Sequence, residues 1–451
     1  MIPSLSLTSL DSKATQLRPD SRLAIPRSTA RRRLGQCRLG QRRRRRQRST
    51  STSTLAALPT LPAANGTLRV STLGLGTWSW GNRFLYGYET SQDASIAEAF
   101  REAAGAGVTL FDSADSYGTG ALSGRAESLL GSFLGDRALC PSSYRSSKVI
   151  AATKIAPYPW RVTGGMFEAA ARASVARMSG GGGGGGGGGS SSGLLPPSRV
   201  VIQLHWSAAN YAPPQEAALW DGLVRCHDAG LCSAVGVSNF GPRQLAKISR
   251  FLERRSVPLA VAQTQFSLLS CGSETQAAIS ASRDAGAVPL AYSPLALGML
   301  SGRYSLSSSP SSEGGSGSSS SSSSRSSEIA NLPKGPRSVL FKKVLPGARG
   351  LLEVIDAVAR ETKVSPAAAA AGPFGSLLSR MTTAPASPAQ VAIAWCVAKG
   401  TVPIPGARTA SDVRSHVAAA TMRLPAGAVE ELDAAARAVK GGMTKNVFVT
   451  K

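Results

Sequence analysis

Four side chains with complementary proton chemistry follow three successive apolar runs of this sequence. Asp112 and Tyr117 follow the first run, Lys154 ends the second, and His205 lies near the end of the third. A tyrosine with an ordinary pKa of about 10 is a poor acid at neutral pH unless a cation stabilises the phenolate. Lys154 is suited to supply that cation, and Asp112 to hold the lysine by an ion pair. With His205 donating a hydrogen bond or relaying a proton, the set indicates proton transfer to a reacting oxygen.

Each of these residues also has an ordinary structural explanation. A lysine at a strand end is usually a solvated tip, and a lone histidine is more often a satisfied structural residue. The combination of an acid, a charge partner, an orienting group and a positioning group on three successive runs favours the chemical interpretation.

The alternation of residue types along the chain predicts the strands and helices that carry these residues. Short apolar or β-branched runs alternate with stretches of helical period, which is the pattern of a parallel sheet with covering helices. The strand candidates are residues 73–78, 108–113, 149–154, 200–206, 233–239, 261–267, 288–294 and 402–406, and the helix candidates include 93–106, 126–134, 167–178, 215–229, 242–254, 274–285 and 389–399. Eight such units predict an α/β fold, a single-domain (β/α)8 TIM barrel with its reacting groups at the carboxyl ends of the strands.

Three low-complexity stretches interrupt this rhythm. They are the glycine-rich 180–193, the serine-rich 305–327 and the Ala-, Ser- and Pro-rich 366–387. None of them has enough apolar side chains to offset its ordering entropy, so we expect flexible surface inserts within a barrel domain that spans 58–451.

The net charge of +25 is concentrated at the start of the chain. Residues 1–50 contain 14 Lys and Arg against two Asp, which accounts for +12 of that charge. An Arg- and Ser-rich, acid-poor start without an apolar core is typical of an organelle transit peptide, which we assign to residues 1–57. The alternative is a basic arm that binds nucleic acid. Composition alone does not separate a chloroplast from a mitochondrial address.

Other features bound the class of protein. No apolar run reaches about 18 residues, so we expect no integral membrane segment. The cysteines form no C-x-x-C pair and have no histidine at zinc spacing, so we expect reduced thiols and no metal site. They are Cys37, Cys140, Cys226, Cys232, Cys271 and Cys396.

Eight short stretches, in order along the chain, resemble the aldo-keto reductase family, and in particular the chloroplast-type NADPH-dependent members of plants and algae. They read LGLGTWSWG (73–81), LFDSADSYGTG (110–120), ATKIAPYPWR (152–161), LHW (204–206), AVGVSNF (234–240), QTQFSLL (263–269), AYSPLALGMLSGRY (291–304) and PIPGART (403–409). Agreement of separate motifs in one order is a stronger signal than any single motif.

The resemblance implies reduction of a small-molecule aldehyde or ketone, with hydride from NADPH. It makes Tyr117 the general acid, tuned by Lys154 and Asp112, while His205 orients the carbonyl. It places Ser238, Asn239 and Gln263 on the nicotinamide carboxamide and Tyr292 against the nicotinamide ring. The remaining cofactor-binding residues that it implies are Thr77, Trp78, Ser293, Pro294, Leu295, Gly298, Arg303, Gly406, Arg408 and Arg414. The planar guanidinium groups among them suit a 2′-phosphate and favour NADP over NAD.

Structural alternatives remain for several of these residues. Ser238 and Asn239 are equally suited to ending a strand and capping a helix, Tyr292 to the core, and Trp78, Trp80 and Trp160 to packing. No G-x-G-x-x-G follows a strand, so a Rossmann domain is not indicated. Where many family members have a Glu-Asn pair at the adenine, this sequence has Ser415 and His416, which puts the adenine contacts in doubt.

Three functions therefore compete at this level. The first is a chloroplast NADPH-dependent carbonyl reductase, a monomer or weak oligomer without nucleic acid as a partner. The second is a non-catalytic NADPH-sensing subunit, as in the branch of the family associated with potassium channels, which generally lacks the histidine that is present here as His205. The third is a nucleic-acid binder that depends on the arginine-rich leader.

Overall fold

The computed structural model describes residues 58–64, 66, 68–118, 120–140, 144, 148–180, 195–304, 329, 331–364, 384–443 and 446–450. The predicted leader 1–57 lies outside these residues. So do 181–193 of the first predicted insert, all of the second, and the third as far as residue 383.

Eight parallel strands form the centre of the molecule. The strands of the described residues are β1 (Thr60–Ala63), β2 (Leu68–Ser71), β3 (Gly74–Gly76), β4 (Leu110–Asp112), β5 (Ile150–Ile155), β6 (Val200–Leu204), β7 (Ala234–Ser238), β8 (Leu259–Gln265), β9 (Val288–Tyr292), β10 (Lys363–Val364), β11 (Ala384–Pro385) and β12 (Val402–Pro403). Strands β3 to β9 and then β12 are hydrogen-bonded in chain order. A parallel bridge between Gly76 and Gly406 joins the two ends of the sheet. The fold is therefore the predicted (β/α)8 barrel.

The closure of the barrel depends on glycine. A Cβ atom on Gly76 would lie 2.8 Å from the Ile404 carbonyl oxygen, closer than real Cβ contacts permit. The eight predicted strands are all present, but most are shorter than predicted because the polar residues at their carboxyl ends already belong to loops. Strands such as β6 are buried along their whole length, as expected of a parallel sheet covered by helices.

A hairpin that the sequence analysis did not predict closes the amino-terminal end of the barrel. Strands β1 and β2 pair antiparallel, and Ala63, Leu68 and Val70 pack in one apolar cluster with barrel residues such as Leu110 and Leu290. The barrel interior is thus a packed core, and its open mouth lies at the carboxyl ends of the strands.

Helices cover the outside of the barrel. They are α1 (Arg83–Tyr86), α2 (Asp93–Gly105), α3 (Arg125–Gly135), α4 (Gly164–Met178), α5 (Pro213–Asp228), α6 (Pro242–Glu253), α7 (Ser273–Asp284), α8 (Arg337–Val344), α9 (Arg349–Glu361), α10 (Pro388–Ala398), α11 (Ala410–Thr421) and α12 (Ala426–Ala438). The seven helix candidates correspond to α2 to α7 and α10. Helices α1, α8, α9, α11 and α12 were not among the candidates. Helices α8, α9, α10 and α12 build a second apolar layer that includes Phe341, Ile355, Trp395 and Leu432.

The structure differs from the prediction at the end of the third insert. Strand β11 pairs with β10, and Ser387 caps α10 in a capping box with Gln390. Residues 384–387 are therefore ordered by backbone hydrogen bonds and a helix cap, although their composition has little apolar content.

Candidate active site

The structure brings the four predicted catalytic residues together at the mouth of the barrel. Asp112 is the last residue of β4, and Tyr117 lies in the loop that follows it. Lys154 lies one residue before the end of β5, and His205 comes directly after β6. Since neighbouring parallel strands end at the same face, these side chains converge on one side of the mouth.

An ion pair between Lys154 and Asp112 lies at the base of the site. Lys154 Nζ lies 2.6 Å from Asp112 Oδ2, and the two side chains are only 2% and 3% exposed. Lys154 Nζ also donates to the Ser113 carbonyl oxygen at 2.6 Å. Asp112 Oδ1 accepts from Gln203 Nε2 at 3.1 Å and from Gln263 Nε2. Burial lowers the pKa of Lys154, and the Asp112 carboxylate opposes that effect.

The Tyr117 ring lies close to this ion pair, and its phenol stays protonated. Lys154 Nζ lies 4.7 Å from the centroid of the Tyr117 ring. Burial, and then the Asp112 carboxylate, raise the pKa of the Tyr117 phenol well above its usual range. The expected lowering of this pKa by Lys154 is therefore not visible, and the phenol is a protonated donor throughout the physiological range. Gly118 allows the turn, since its φ is +126° and a Cβ there would lie 1.7 Å from the Leu122 carbonyl oxygen.

His205 is a neutral, half-buried imidazole beside the phenol. Its ring centroid lies 5.9 Å from that of Tyr117. Burial, and then the charge of Lys154, lower the pKa of His205 well below its usual range. Its Nδ1 is buried and has no hydrogen-bond partner among the described residues. A buried polar atom without a partner costs free energy, so it is a candidate contact for a bound ligand.

The loop after His205 is held by one buried carboxylate. Glu216 accepts from Ser207 Oγ at 2.7 Å, from the Ala208 backbone nitrogen at 2.6 Å and from Gln244 Nε2 at 2.7 Å. Glu216 thereby ties the carboxyl end of β6 to α5 and α6. The sequence analysis did not identify this residue.

The predicted carboxamide-binding residues form a connected network on the next strands. Asn239 adopts a left-handed conformation with φ of 64°. Its Nδ2 donates to the His205 carbonyl oxygen at 3.1 Å and to Ser238 Oγ at 3.2 Å. The Tyr292 hydroxyl donates to Asn239 Oδ1 at 2.6 Å. Gln263, by contrast, donates from its Nε2 to the Asp112 carboxylate. The same nitrogen donates to Gln203 Oε1 at 2.9 Å.

A cavity of about 410 Å³ opens beside Tyr117 at the mouth of the barrel. Its lining includes eleven of the predicted residues, namely Trp78, Asp112, Tyr117, Tyr292, Ser293, Pro294, Leu295, Gly298, Arg303, Gly406 and Arg408, and also Ser415 and His416. Its size lies within the range of small-molecule and cofactor sites, about 300–1,000 Å³.

The loop after β9 on this cavity is strained. Ser293, Ala296 and Leu297 have positive φ values of 52°, 48° and 57°. Such conformations cost about 1–3 kcal/mol each in non-glycine residues and cluster at ligand-binding sites. Ser293 and Leu297 both line the cavity.

Three arginines give the cavity a positive character. Arg303 pairs with Asp412 at 3.1 Å, and Arg408 Nη1 donates to the Tyr86 carbonyl oxygen at 3.0 Å. The third, Arg337, was missed because no motif singles it out. Its guanidinium carbon lies 4.9 Å from the Tyr86 ring centroid, and its Nε is buried without a hydrogen-bond partner in the described chain.

Five predicted cofactor residues do not line the cavity. Ser238, Asn239 and Gln263 belong to the hydrogen-bonded networks described above, and Thr77 and Arg414 have other partners. Thr77 is fully buried, and its hydroxyl donates to the Asp112 carbonyl oxygen at 3.1 Å, which ties β3 to β4. Arg414 pairs with Glu102 at 3.2 Å, between α11 and α2. Of the tryptophans left open above, Trp80 is core, with 0% exposure, and Trp160 is 66% exposed.

Ser415 and His416 both line the cavity. His416 is 5% exposed, and burial lowers its pKa to about 4, against the opposing charge of Asp412. Its Nδ1 has no hydrogen-bond partner within the described residues. His416 therefore offers a neutral ring to the cavity.

The described residues contain no group of three or more His, Cys, Asp or Glu placed to hold a metal ion. No helix in the same ranges is long and apolar enough to cross a membrane.

The chain is similar in sequence to proteins of known family. The model of the "Aldo/keto reductase family" matches residues 72–180 and 201–372. The chain is 41% identical over 386 residues to a protein named "Pyridoxal reductase, chloroplastic" from Arabidopsis thaliana, covering 86% of this chain and 88% of that protein. It is 28% identical over 381 residues to an uncharacterized oxidoreductase of Mycobacterium bovis, covering 83% of this chain and 92% of the relative.

Solved structures agree on the fold. A thermostable aldo-keto reductase matches with a TM-score of 0.53 at 17% identity, covering 84% of this chain and 100% of the other. An aldo-keto reductase of the silkworm, Bombyx mori, matches with a TM-score of 0.51 at 19% identity, covering 84% and 87%. On the family match and the 41% identical relative, the chain belongs to the aldo/keto reductase family.

Proposed function

We propose that this protein reduces an aldehyde or ketone to the alcohol with NADPH, and that Tyr117 is the proton donor. One observation carries the proposal: a protonated phenol, a buried Lys154–Asp112 pair and a neutral His205 lie together, and Tyr117 and Asp112 of this group line the cavity. A carbonyl oxygen that gains negative charge needs a proton donor and a nearby cation, and this set offers both.

The residues along the cavity fit a phosphate-bearing dinucleotide. The strained loop at Ser293–Leu297 and the guanidinium groups of Arg303, Arg337 and Arg408 suit phosphate oxygens. The unpartnered Nε of Arg337 supports an anionic ligand there. Ser238, Asn239 and Tyr292 would hold the nicotinamide end, which supplies hydride when the cofactor is bound. Three arginines at one cavity favour NADPH over NADH.

Each catalytic residue then has a defined task. Tyr117 donates its phenolic proton to the former carbonyl oxygen, and the ammonium of Lys154 stabilises the resulting phenolate. Asp112 keeps Lys154 in place and charged, because it opposes the effect of burial on the lysine pKa. His205 directs its ring at the substrate oxygen and fixes the carbonyl orientation. Its low pKa keeps a second positive charge out of the site.

For the substrate, we propose pyridoxal as the first compound to test. The support is the printed name of the 41% identical relative, pyridoxal reductase, and the aromatic residues at the site. Trp78 lies 5.5 Å from Tyr86 and 6.4 Å from Tyr117, between ring centroids, and is able to stack on a flat substrate ring. The same relative is chloroplastic, and with the leader composition it supports a chloroplast location.

The test compares NADPH and NADH oxidation by leaderless protein on a panel of carbonyls that includes pyridoxal. Tyr117→Phe is expected to lower kcat by about 10²- to 10⁴-fold, the usual contribution of a positioned acid, with NADPH affinity unchanged. The control is Tyr158→Phe, since Tyr158 stacks on Trp160 in the loop after β5 and does not line the cavity. Equal rates for Tyr117→Phe and the parent would refute the mechanism. Tight NADPH binding without turnover of any carbonyl would support the cofactor-sensing alternative.

A further inference from the structure

The last residues of the chain lie across the mouth of the barrel. We call residues 446–450 the C-terminal strap. Its contacts reach the loops after β6 and β7 and the last residue of β9. The Asn210 side chain donates to the Val449 carbonyl oxygen at 3.3 Å, and the Gly241 nitrogen donates to Thr450 Oγ1 at 3.1 Å. The Thr450 nitrogen donates to the Asn239 carbonyl oxygen at 3.2 Å.

The first residue of the strap enters the carboxamide-binding network. Asn446 Nδ2 donates to Asn239 Oδ1 at 3.1 Å and to the Tyr292 hydroxyl at 2.8 Å. The Tyr292 hydroxyl in turn donates to the same Asn239 Oδ1. The three side chains thus close a ring of hydrogen bonds in which a primary amide supplies both of its protons.

This ring uses the full capacity of Asn239. An amide oxygen accepts two hydrogen bonds, and an amide nitrogen donates two. Asn239 Oδ1 accepts from Tyr292 and Asn446, and its Nδ2 donates to His205 and Ser238. A further amide donor is able to reach Asn239 Oδ1 only by replacing Tyr292 or Asn446.

The nicotinamide carboxamide is a donor of the same chemical type as the Asn446 side chain. Tyr292 ends a buried barrel strand, whereas Val447 and Phe448, which follow Asn446 in the strap, are exposed at 80% and 37%. Asn446, and not Tyr292, is therefore the group that an incoming carboxamide would displace from Asn239 Oδ1.

We propose that the strap is a latch and that Asn446 and the cofactor carboxamide compete for Asn239 Oδ1. Binding of the nicotinamide end releases Asn446 and loosens residues 446–450. This inference rests on the proposed NADPH function.

Release of the strap also changes the substrate side of the mouth. The Phe448 ring stacks on Trp206 at 4.3 Å with an interplanar angle of 21°, and Trp206 lies 4.9 Å from His205 between ring centroids. The latched strap thus covers the indole next to the proposed carbonyl-orienting residue. One contact at Asn446 therefore couples the cofactor end of the site to access at the substrate end.

The test removes the Asn446 donor while keeping its size. Asn446→Asp and Asn446→Leu are expected to bind NADPH about 2- to 10-fold more tightly than the parent, the range for loss of one competing hydrogen bond. Adenosine 2′,5′-bisphosphate, which has no nicotinamide, is expected to bind all three proteins equally. Asn210→Leu, which loosens only the far end of the strap, is expected to give a smaller gain.

A second measurement follows the strap directly by hydrogen exchange of the C-terminal peptide. We expect NADPH to speed exchange there in the parent and adenosine 2′,5′-bisphosphate to leave it unchanged. Weaker or equal NADPH binding by the Asn446 variants would overturn the latch and assign Asn446 to holding Tyr292 in place. An equal gain in Asn210→Leu would overturn competition at Asn446. Failure of the parent and all variants to bind NADPH would instead overturn the proposed function.

Discussion

The Lys154–Asp112 pair sets the energetics of the site. Both charges are almost completely buried, so neither side chain is stable there without the other. A buried pair often adds little net stability compared with apolar residues, but removal of one partner leaves an uncompensated charge. The pair is therefore better explained by the cation that it places beside Tyr117 than by stability.

Lys154→Met separates these two contributions. We expect the variant to lose about 3–5 kcal/mol in the free energy of unfolding, because the Asp112 carboxylate is left without its partner. The double variant Asp112→Asn/Lys154→Met should regain most of that loss, since no isolated charge remains. Neither variant should recover activity, because no cation then lies beside the phenol. Urea unfolding and kcat measurements check both expectations, and recovery of activity in the double variant would contradict the role of Lys154.

The sequence predicted which ionisable residues lie together at the mouth of the barrel, but not the direction of their side chains. Asp112, Tyr117, Lys154 and His205 stand out because ionisable residues with complementary proton chemistry follow three successive apolar runs. The sequence did not reveal that burial raises the pKa of Tyr117. Arg337 and Asn446 were missed because each reaches the mouth from a distant part of the chain, and no local pattern records such an approach.

At the scale of elements, the periodicity of apolar residues predicted the barrel strands well. It did not predict the hairpin β1–β2 or the added helices such as α8 and α9. The barrel strands are apolar along their length and bounded by polar residues, which gives a clear signal. The hairpin β1–β2 contains Pro62 and an exposed Arg69 and so resembles a loop in sequence. Its role in closing the barrel depends on contacts with β-strands far along the chain, and those contacts have no local pattern.

Close packing of α3 on α4 depends on a glycine. A Cβ on Gly131 would lie 2.2 Å from the Arg177 carbonyl oxygen. A backbone oxygen moves away only if the helix that carries it also moves, which costs free energy. We expect Gly131→Ala to destabilise the fold by about 1–3 kcal/mol, as for other overpacked sites. The matched control is Gly427→Ala in α12, where nothing lies within 4 Å of the added atom. There the better helix propensity of alanine should stabilise by about 0.5–1 kcal/mol. Thermal unfolding measures both, and equal shifts would contradict the packing argument.

At the scale of the whole molecule, the positive charge of the sequence has two separate origins. Residues 1–50 carry +12 of the +25 and lie outside the described part of the chain. In the barrel, Arg303, Arg337 and Arg408 converge on one cavity although they are far apart in sequence. Net charge predicted neither this convergence nor its ligand, because the barrel topology brings the loops that carry these residues together.

The stability of the whole fold should depend on pH through His416. Burial lowers the His416 pKa to about 4 in the folded protein, whereas an exposed histidine in the unfolded chain titrates at about 6.5. Below about pH 6.5 this histidine is protonated in the unfolded state but stays neutral in the folded state until the pH reaches about 4. The free energy of unfolding therefore falls as the pH falls from about 6.5 to about 4. The full loss from this group is about 3 kcal/mol.

We therefore expect His416→Gln to gain stability relative to the parent by up to that amount over the same pH range. Between pH 7 and 8, where His416 is neutral in both states, the difference between the two proteins should be constant. Urea unfolding at half-unit pH steps measures it, and a difference that stays constant down to pH 4 would exclude His416 as the source of acid sensitivity.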